Sequence, residues 1–89
     1  MKIDVKTAVL AARNYLQSLQ DLMGGNIEDL RLEEVEISED EKHWFVTLGF
    51  TVIKDRFKML GLSQSARTYK IFKIDSETGE VQSMKIREV

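Results

Sequence analysis

The chain is organised around His43-Trp44-Phe45-Val46-Thr47-Leu48-Gly49-Phe50-Thr51-Val52-Ile53. Trp44, Val46, Leu48, Phe50 and Val52 fall on one parity; His43, Phe45, Thr47, Gly49, Thr51 and Ile53 fall on the other. Successive side chains of an extended chain point to opposite faces, so this period of two in β-branched and aromatic residues predicts a strand. At about 3.3 Å per residue it runs roughly 35 Å, enough to cross a small domain. It reads as an inner strand of an antiparallel sheet, packed on one face and partly wet on the other.

Towards the C-terminus, residues 66–75 and 80–87 read as a hairpin around Ser76-Glu77-Thr78-Gly79. Asp75 opens the turn and Gly79 supplies the residue with positive φ. A calcium loop needs glycine at its sixth position, and Gly79 is the fifth residue from Asp75, so the turn reading prevails. If Asp75 faces Glu80, then Tyr69, Ile71, Met84 and Ile86 share one face, and Phe72, Ile74 and Val81 share the other. Both faces of the hairpin are then partly apolar, whereas one helix covers only one. The remainder is expected either to pack under another segment or to meet a second protein, which points to self-association.

Towards the N-terminus, Leu30, Leu32, Val35 and Ile37 define a strand over 29–38 whose alternation slips at Glu33-Glu34. A bulge there puts both apolar pairs on one face. Paired carboxylates can serve acid–base chemistry, but neighbours in a regular strand point apart and no catalytic partner is evident. Ser38 to Lys42 is a polar connection. Before the strand, Val5, Ala8, Val9, Ala12, Leu16, Leu19 and Met23 repeat at helical spacing, which predicts a helix over 5–23 capped by Asp4. Gly24-Gly25 ends it. The glycine pair is not read as an anion cradle, because it follows the negative end of the helix dipole.

Between the long strand and the hairpin lies the least regular segment, 54–66. It carries Phe57, Met59, Leu60 and Leu62, too apolar for a plain solvated loop. Two readings stand: a segment folded back over the sheet edge, or a contact loop with apolar anchors and a basic rim.

The 89 residues suit a single domain with a thin core. With no cysteine there is no disulfide, zinc ribbon or thiol nucleophile. Asp4 and Lys6 interrupt the N-terminus, Arg13 closes its short apolar run, and no segment approaches the ~20 apolar residues of a membrane span. A cytoplasmic location and no membrane partner are the expectation. The net charge of −2 hides an asymmetry: Glu28 to Glu41 holds eight acids against Arg31, and Lys54 to Lys73 holds six bases against Asp55. Two such segments can neutralise each other side by side, or the basic strip can meet an acidic partner.

Lys-Thr-Ala-Val-Leu-Ala-Ala-Arg-Asn-Tyr-Leu at 6–16 and Tyr-Lys-Ile-Phe-Lys-Ile-Asp-Ser-Glu-Thr-Gly-Glu-Val at 69–81 together resemble PepSY-like domains. The resemblance covers under a third of the chain and implies a cystatin-like α+β shape. Such domains are typically exported or propeptide modules that bind or restrain peptidases and other partners, without catalytic residues of their own. The 54–66 insertion and the absence of an export signal depart from that pattern, so only the non-catalytic binding shape carries over.

The expected architecture is α+β, one N-terminal helix on a four-stranded antiparallel meander with strands near 29–38, 43–53, 66–75 and 80–87. The expected function is a small non-catalytic protein-interaction module, without metal or cofactor, that binds a protein partner or a second copy of itself. The expected contact residues are Phe57, Met59, Leu60, Leu62, Phe72, Ile74 and Val81. One alternative is nucleic-acid binding through Lys54, Arg56, Lys58, Arg67, Lys70 and Lys73, with Phe57 or Tyr69 stacking; the acidic total and the lack of any binding signature speak against it. Another is a small cone-shaped enzyme using His43 with a carboxylate, for which one helix supplies too few walls. His43 beside Glu39, Asp40 and Glu41 also invites a metal, but a single imidazole with loop carboxylates makes a poor site.

Overall fold

In the computed structural model, which describes residues 2–53 and 67–87, one helix packs on a four-stranded antiparallel sheet, as expected. The elements are α1 (Val5–Ser18), a 3-10 turn (Gln20–Leu22), β1 (Asn26–Ile37), β2 (His43–Ile53), β3 (Arg67–Asp75) and β4 (Val81–Ile86). The spatial order β1-β2-β3-β4 follows the chain, so β2 and β3 are inner strands and β1 and β4 are edges.

Asp4 starts α1 as predicted: its carboxylate accepts from the Thr7 N–H at 2.8 Å, satisfying one of the free donors of the first turn. The helix is shorter than its apolar stripe. At Leu19 the backbone turns to φ −97°, ψ 1°, and the Leu19 N–H donates to the Leu16 carbonyl, three residues back. That tightening converts the last turn to 3-10 geometry, and Gly24 at φ 79° then redirects the chain into β1. Periodicity alone does not report this change, because Leu19 and Met23 keep the helical spacing and Met23 still packs on the core.

The even parity of β2 faces the helix. Val46, Leu48 and Phe50 join Phe72 and Ile74 of β3 and Ala8, Ala12 and Leu16 of α1 in one buried cluster. Alanine at 8 and 12 lets the helix axis lie close to the sheet. Tyr15 sets its ring edge-on to Phe72, with centroids 6.4 Å apart. The N-terminal segment is tied to the far end of the sheet, where the Ile3 N–H donates to the Ser76 carbonyl at 2.7 Å and Trp44 Nε1 donates to the Ile3 carbonyl at 3.3 Å.

Three register shifts shape the sheet. The predicted bulge in β1 lies between Leu32 and Glu34. A second, between Glu28 and Arg31, coincides with Asp29 at φ 52°. It hides the start of β1, which begins at Asn26 and pairs Ile27 with Val52, three residues before the expected start. The third corrects the hairpin reading. Asp75 does face Glu80, with the Asp75 N–H donating to the Glu80 carbonyl at 2.9 Å, but the pairing slips between Lys73 and Ile74. Ile74 therefore pairs with Val81 and Phe72 with Met84. The extra residue, Gln82, carries Met84 and Ile86 to the helix side, away from Tyr69 and Ile71.

Candidate interaction surface

Of the residues expected to meet a partner, Phe72 and Ile74 are 0% exposed beneath α1, and Val81 packs against the same cluster. Phe72 and Ile74 are core, not contact surface, and Val81 borders that core on the helix side. The even positions of β3 pair with the even positions of β2, and that shared parity is the one the helix covers. Phe57, Met59, Leu60 and Leu62 lie outside the described residues.

The opposite face of the sheet carries the odd parity of β2 and β3, and no other described element crosses it. Register sets it out in rows from β1 to β4. One row is Glu36, Phe45, Lys73, Ser83; the next is Glu34, Thr47, Ile71, Lys85. Further along, Gly49 stands between Arg31 and Tyr69.

Two arginines from the C-terminal half reach back over this face to acids of β1. Arg67 Nη1 donates to the Asp29 carbonyl at 2.8 Å and to Asp29 Oδ2 at 3.2 Å, while Nη2 donates to Glu33 Oε1 at 3.2 Å and to the Gly49 carbonyl at 3.1 Å. The Glu33 hydrogen bond, with the charges of Asp29 and Glu33, raises the Arg67 pKa above its ordinary value. Arg87 Nη1 donates to Thr47 Oγ1 at 2.8 Å, and the Arg87 guanidinium pairs with Glu34 through Nη1 at 3.1 Å and Nη2 at 3.2 Å. The bonds to Glu34 raise the Arg87 pKa likewise. The bulge explains why both glutamates are available: the extra residue places Glu33 and Glu34 on one face rather than on opposite ones.

Gly49 makes room for this crowding. A Cβ there would stand 2.7 Å from Glu33 Oε1, 3.0 Å from Glu33 Cγ and 3.0 Å from Tyr69 Cε1. The glycine lets the Glu33 carboxylate and the Tyr69 ring close over the strand.

Two shallow depressions result. One, of about 230 Å³, is polar and lined by Glu33, Glu34, Thr47, Tyr69 and Arg87. The other, of about 260 Å³, has an apolar floor of Phe45 and Ile71 with Lys73, Ser83 and Lys85 around it. The lysines differ from the arginines in one respect. Among the described residues, neither Lys73 nor Lys85 has a carboxylate within ion-pair distance. Lysine stems beside such a floor can shield it while their amines stay in water. Sequence reasoning missed Phe45, Ile71, Lys73 and Lys85 as a group, although the parity of His43 to Ile53 already separated Phe45 from the core positions.

His43 lies opposite Asp75 at the sheet end, beside a depression of about 240 Å³ that Glu41, Ser76 and Glu77 also line. Asp75 is committed to the hairpin turn. Its Oδ1 accepts from the N–H groups of Thr78 at 2.9 Å and Glu77 at 2.8 Å, and these bonds hold its carboxyl below the ordinary 3.8. Among the described residues no cluster of three or more histidine, aspartate or glutamate side chains is arranged to hold a metal ion. The basic strip does not form one surface in its described part: Arg67 is ion-paired, Lys73 lies on the open face, and Lys70, opposite Leu48, lies on the helix side. Among the described residues no helix is long and apolar enough to cross a membrane. Comparison of the chain with protein-family models, with curated proteins and with solved structures finds no match.

Proposed function

We propose that the protein is a small non-catalytic interaction module that presents the open face of its sheet to another protein. The observation that carries this reading is the composition of that face. Phe45, Tyr69 and Ile71 stand beside Lys73 and Lys85, whose amines lack ion-pair partners among the described residues, while the neighbouring arginines are fully engaged. Aromatic and aliphatic side chains within a polar rim are the make-up of protein–protein contacts, where the centre is desolvated and the rim stays wet. The apolar residues of 54–66 belong to the same reading, and so does the PepSY-like resemblance of 6–16 and 69–81. A cytoplasmic setting suits a chain without cysteine.

The test is a photo-crosslinking amino acid placed at Ile71, with the same group at Gln17 on the exposed side of α1 as control. Protein adducts in extract of the native host that form from position 71 and not from position 17 are expected. Equal yields from both positions, or none from position 71, contradict the assignment.

A further inference from the structure

We infer that the occupant of the open face is a second copy of this chain, packed sheet on sheet about a twofold axis parallel to the strands. This rests on the interaction-module reading and adds the partner's identity and its orientation. The starting point is the polarity of the rows. Acids stand at the β1 end, as Glu36 and Glu34, and bases stand towards β4, as Lys73 and Lys85. Arg87 and Arg67 neutralise Glu34 and Glu33 within the molecule. Without a contact ion pair among the described residues are Glu36 on one side of the face, which feels Arg87 only at longer range, and Lys73 and Lys85 on the other.

A face polarised in this manner is complementary to itself under one rotation and not under the other. A twofold axis along the strands lays β1 of one copy over β4 of the other. Glu36 then stands over Ser83 and next to Lys85 of the other copy, and Phe45 stands under the Lys73 stem. An axis across the strands lays β1 on β1, bringing acid to acid and lysine to lysine. Like charges set opposite one another are unfavourable, so charge selects the first arrangement. An unrelated acidic partner would satisfy Lys73 and Lys85 but press against Glu36; the second copy satisfies both ends at once.

The area available sets the strength. Nine paired residues of about 3.3 Å and four strands spaced at about 4.8 Å give roughly 500 Å² per copy, on the order of 1,000 Å² for the pair. That is the lower limit for specific association, so the dimer is weak and reversible. Sheets packed in this aligned mode lie about 30° apart, which suits twisted strands.

The experiment is sedimentation of the purified full chain over a wide concentration range, with Glu36→Lys, Lys85→Glu and an equal mixture of the two. Both positions are exposed and neither belongs to the core, and circular dichroism confirms that each variant is folded. The unaltered chain is expected to dimerise reversibly, more weakly as salt rises. Each variant alone sets like charges together twice and is expected to weaken association about tenfold. The mixture restores it, because each copy then offers the charge that the other needs. A monomer at every concentration overturns the inference, as does a dimer indifferent to both substitutions or a mixture no tighter than its components. Failure here with position 71 still crosslinking another protein in extract removes only the second copy. Failure of both removes the interaction surface itself.

Discussion

The two faces of the sheet are built from neighbouring residues and hold together by different means. On the helix side, Val46, Leu48, Phe50, Phe72 and Ile74 are sealed under Ala8, Ala12 and Leu16, and stability comes from apolar surface removed from water. On the open side, Phe45, Tyr69 and Ile71 stay partly wet, and order comes from charged bonds that tie the C-terminal half to β1 through Arg67 and Arg87. Shape is thus specified on one side and availability on the other. The seal is also incomplete: Leu32 and Ile86, on the helix side by register, remain 48% and 71% exposed, because one helix does not reach both sheet edges.

The largest expected effect comes from breaking the sealed side. Phe72→Ala removes a fully buried ring and its edge contact with Tyr15, and is expected to cost about 3–5 kcal/mol in denaturant unfolding. Ile71→Ala, one residue away on the open face, is expected to cost under about 1 kcal/mol. Equal losses would erase the distinction between the faces.

Next comes Gly49→Ala. The added methyl displaces Glu33 from Arg67 and pushes on Tyr69, with an expected loss of about 1–2 kcal/mol. Glu33→Ala should then cost less in the Gly49→Ala background than in the unaltered chain, since its bond is already lost. Strict additivity in that double-mutant cycle contradicts the account of the crowded glycine.

A smaller effect follows from pH. Asp75, Asp4 and Asp40 all sit below their ordinary 3.8 through hydrogen bonds from, in turn, Thr78, Thr7 and Ser38. A depressed folded pKa means stability that is present above the unfolded value and lost as pH falls through the folded one. Thermal stability is therefore expected to fall as pH drops below about 4. Asp75→Asn keeps an oxygen to accept the two turn N–H bonds but cannot titrate, so it should flatten part of that slope. An unchanged acid profile in Asp75→Asn removes the turn carboxylate as a contributor.

Smallest of all is Lys85→Glu, expected to leave the unfolding midpoint of the dilute monomer nearly unchanged. The side chain makes no ion pair among the described residues, so its importance lies in contact and not in folding.

Much of this was legible from residue order. The parity of 43–53 separated the sealed face from the open one, Asp4 announced the helix, and Asp75 with Gly79 announced the hairpin turn. The bulge at Glu33-Glu34 showed as a slip in alternation. What escaped were the bulges without such a slip. Gln82 leaves no mark in the apolar pattern because Met84 and Ile86 keep their own period on either face, so the hairpin reading grouped Phe72, Ile74 and Val81 rightly but set Met84 and Ile86 with Tyr69 and Ile71. Asp29 masks the start of β1 in the same manner, since a non-glycine residue at positive φ follows from pairing with β2 and not from its own preference. The arginine bridges escaped for a different reason: Arg67 and Glu33 are 34 residues apart, Arg87 and Glu34 are 53 apart, and only the sheet brings them together.

The most direct test uses the absence of cysteine. Single thiols introduced as Ile71→Cys and Val46→Cys report the two faces through their rates of alkylation in the folded protein. Residue 71 is expected to react rapidly in dilute solution and to slow as protein concentration rises, while residue 46 reacts only on unfolding. Protection of residue 71 at every dilution, or equal rates at the two positions, would contradict that expectation.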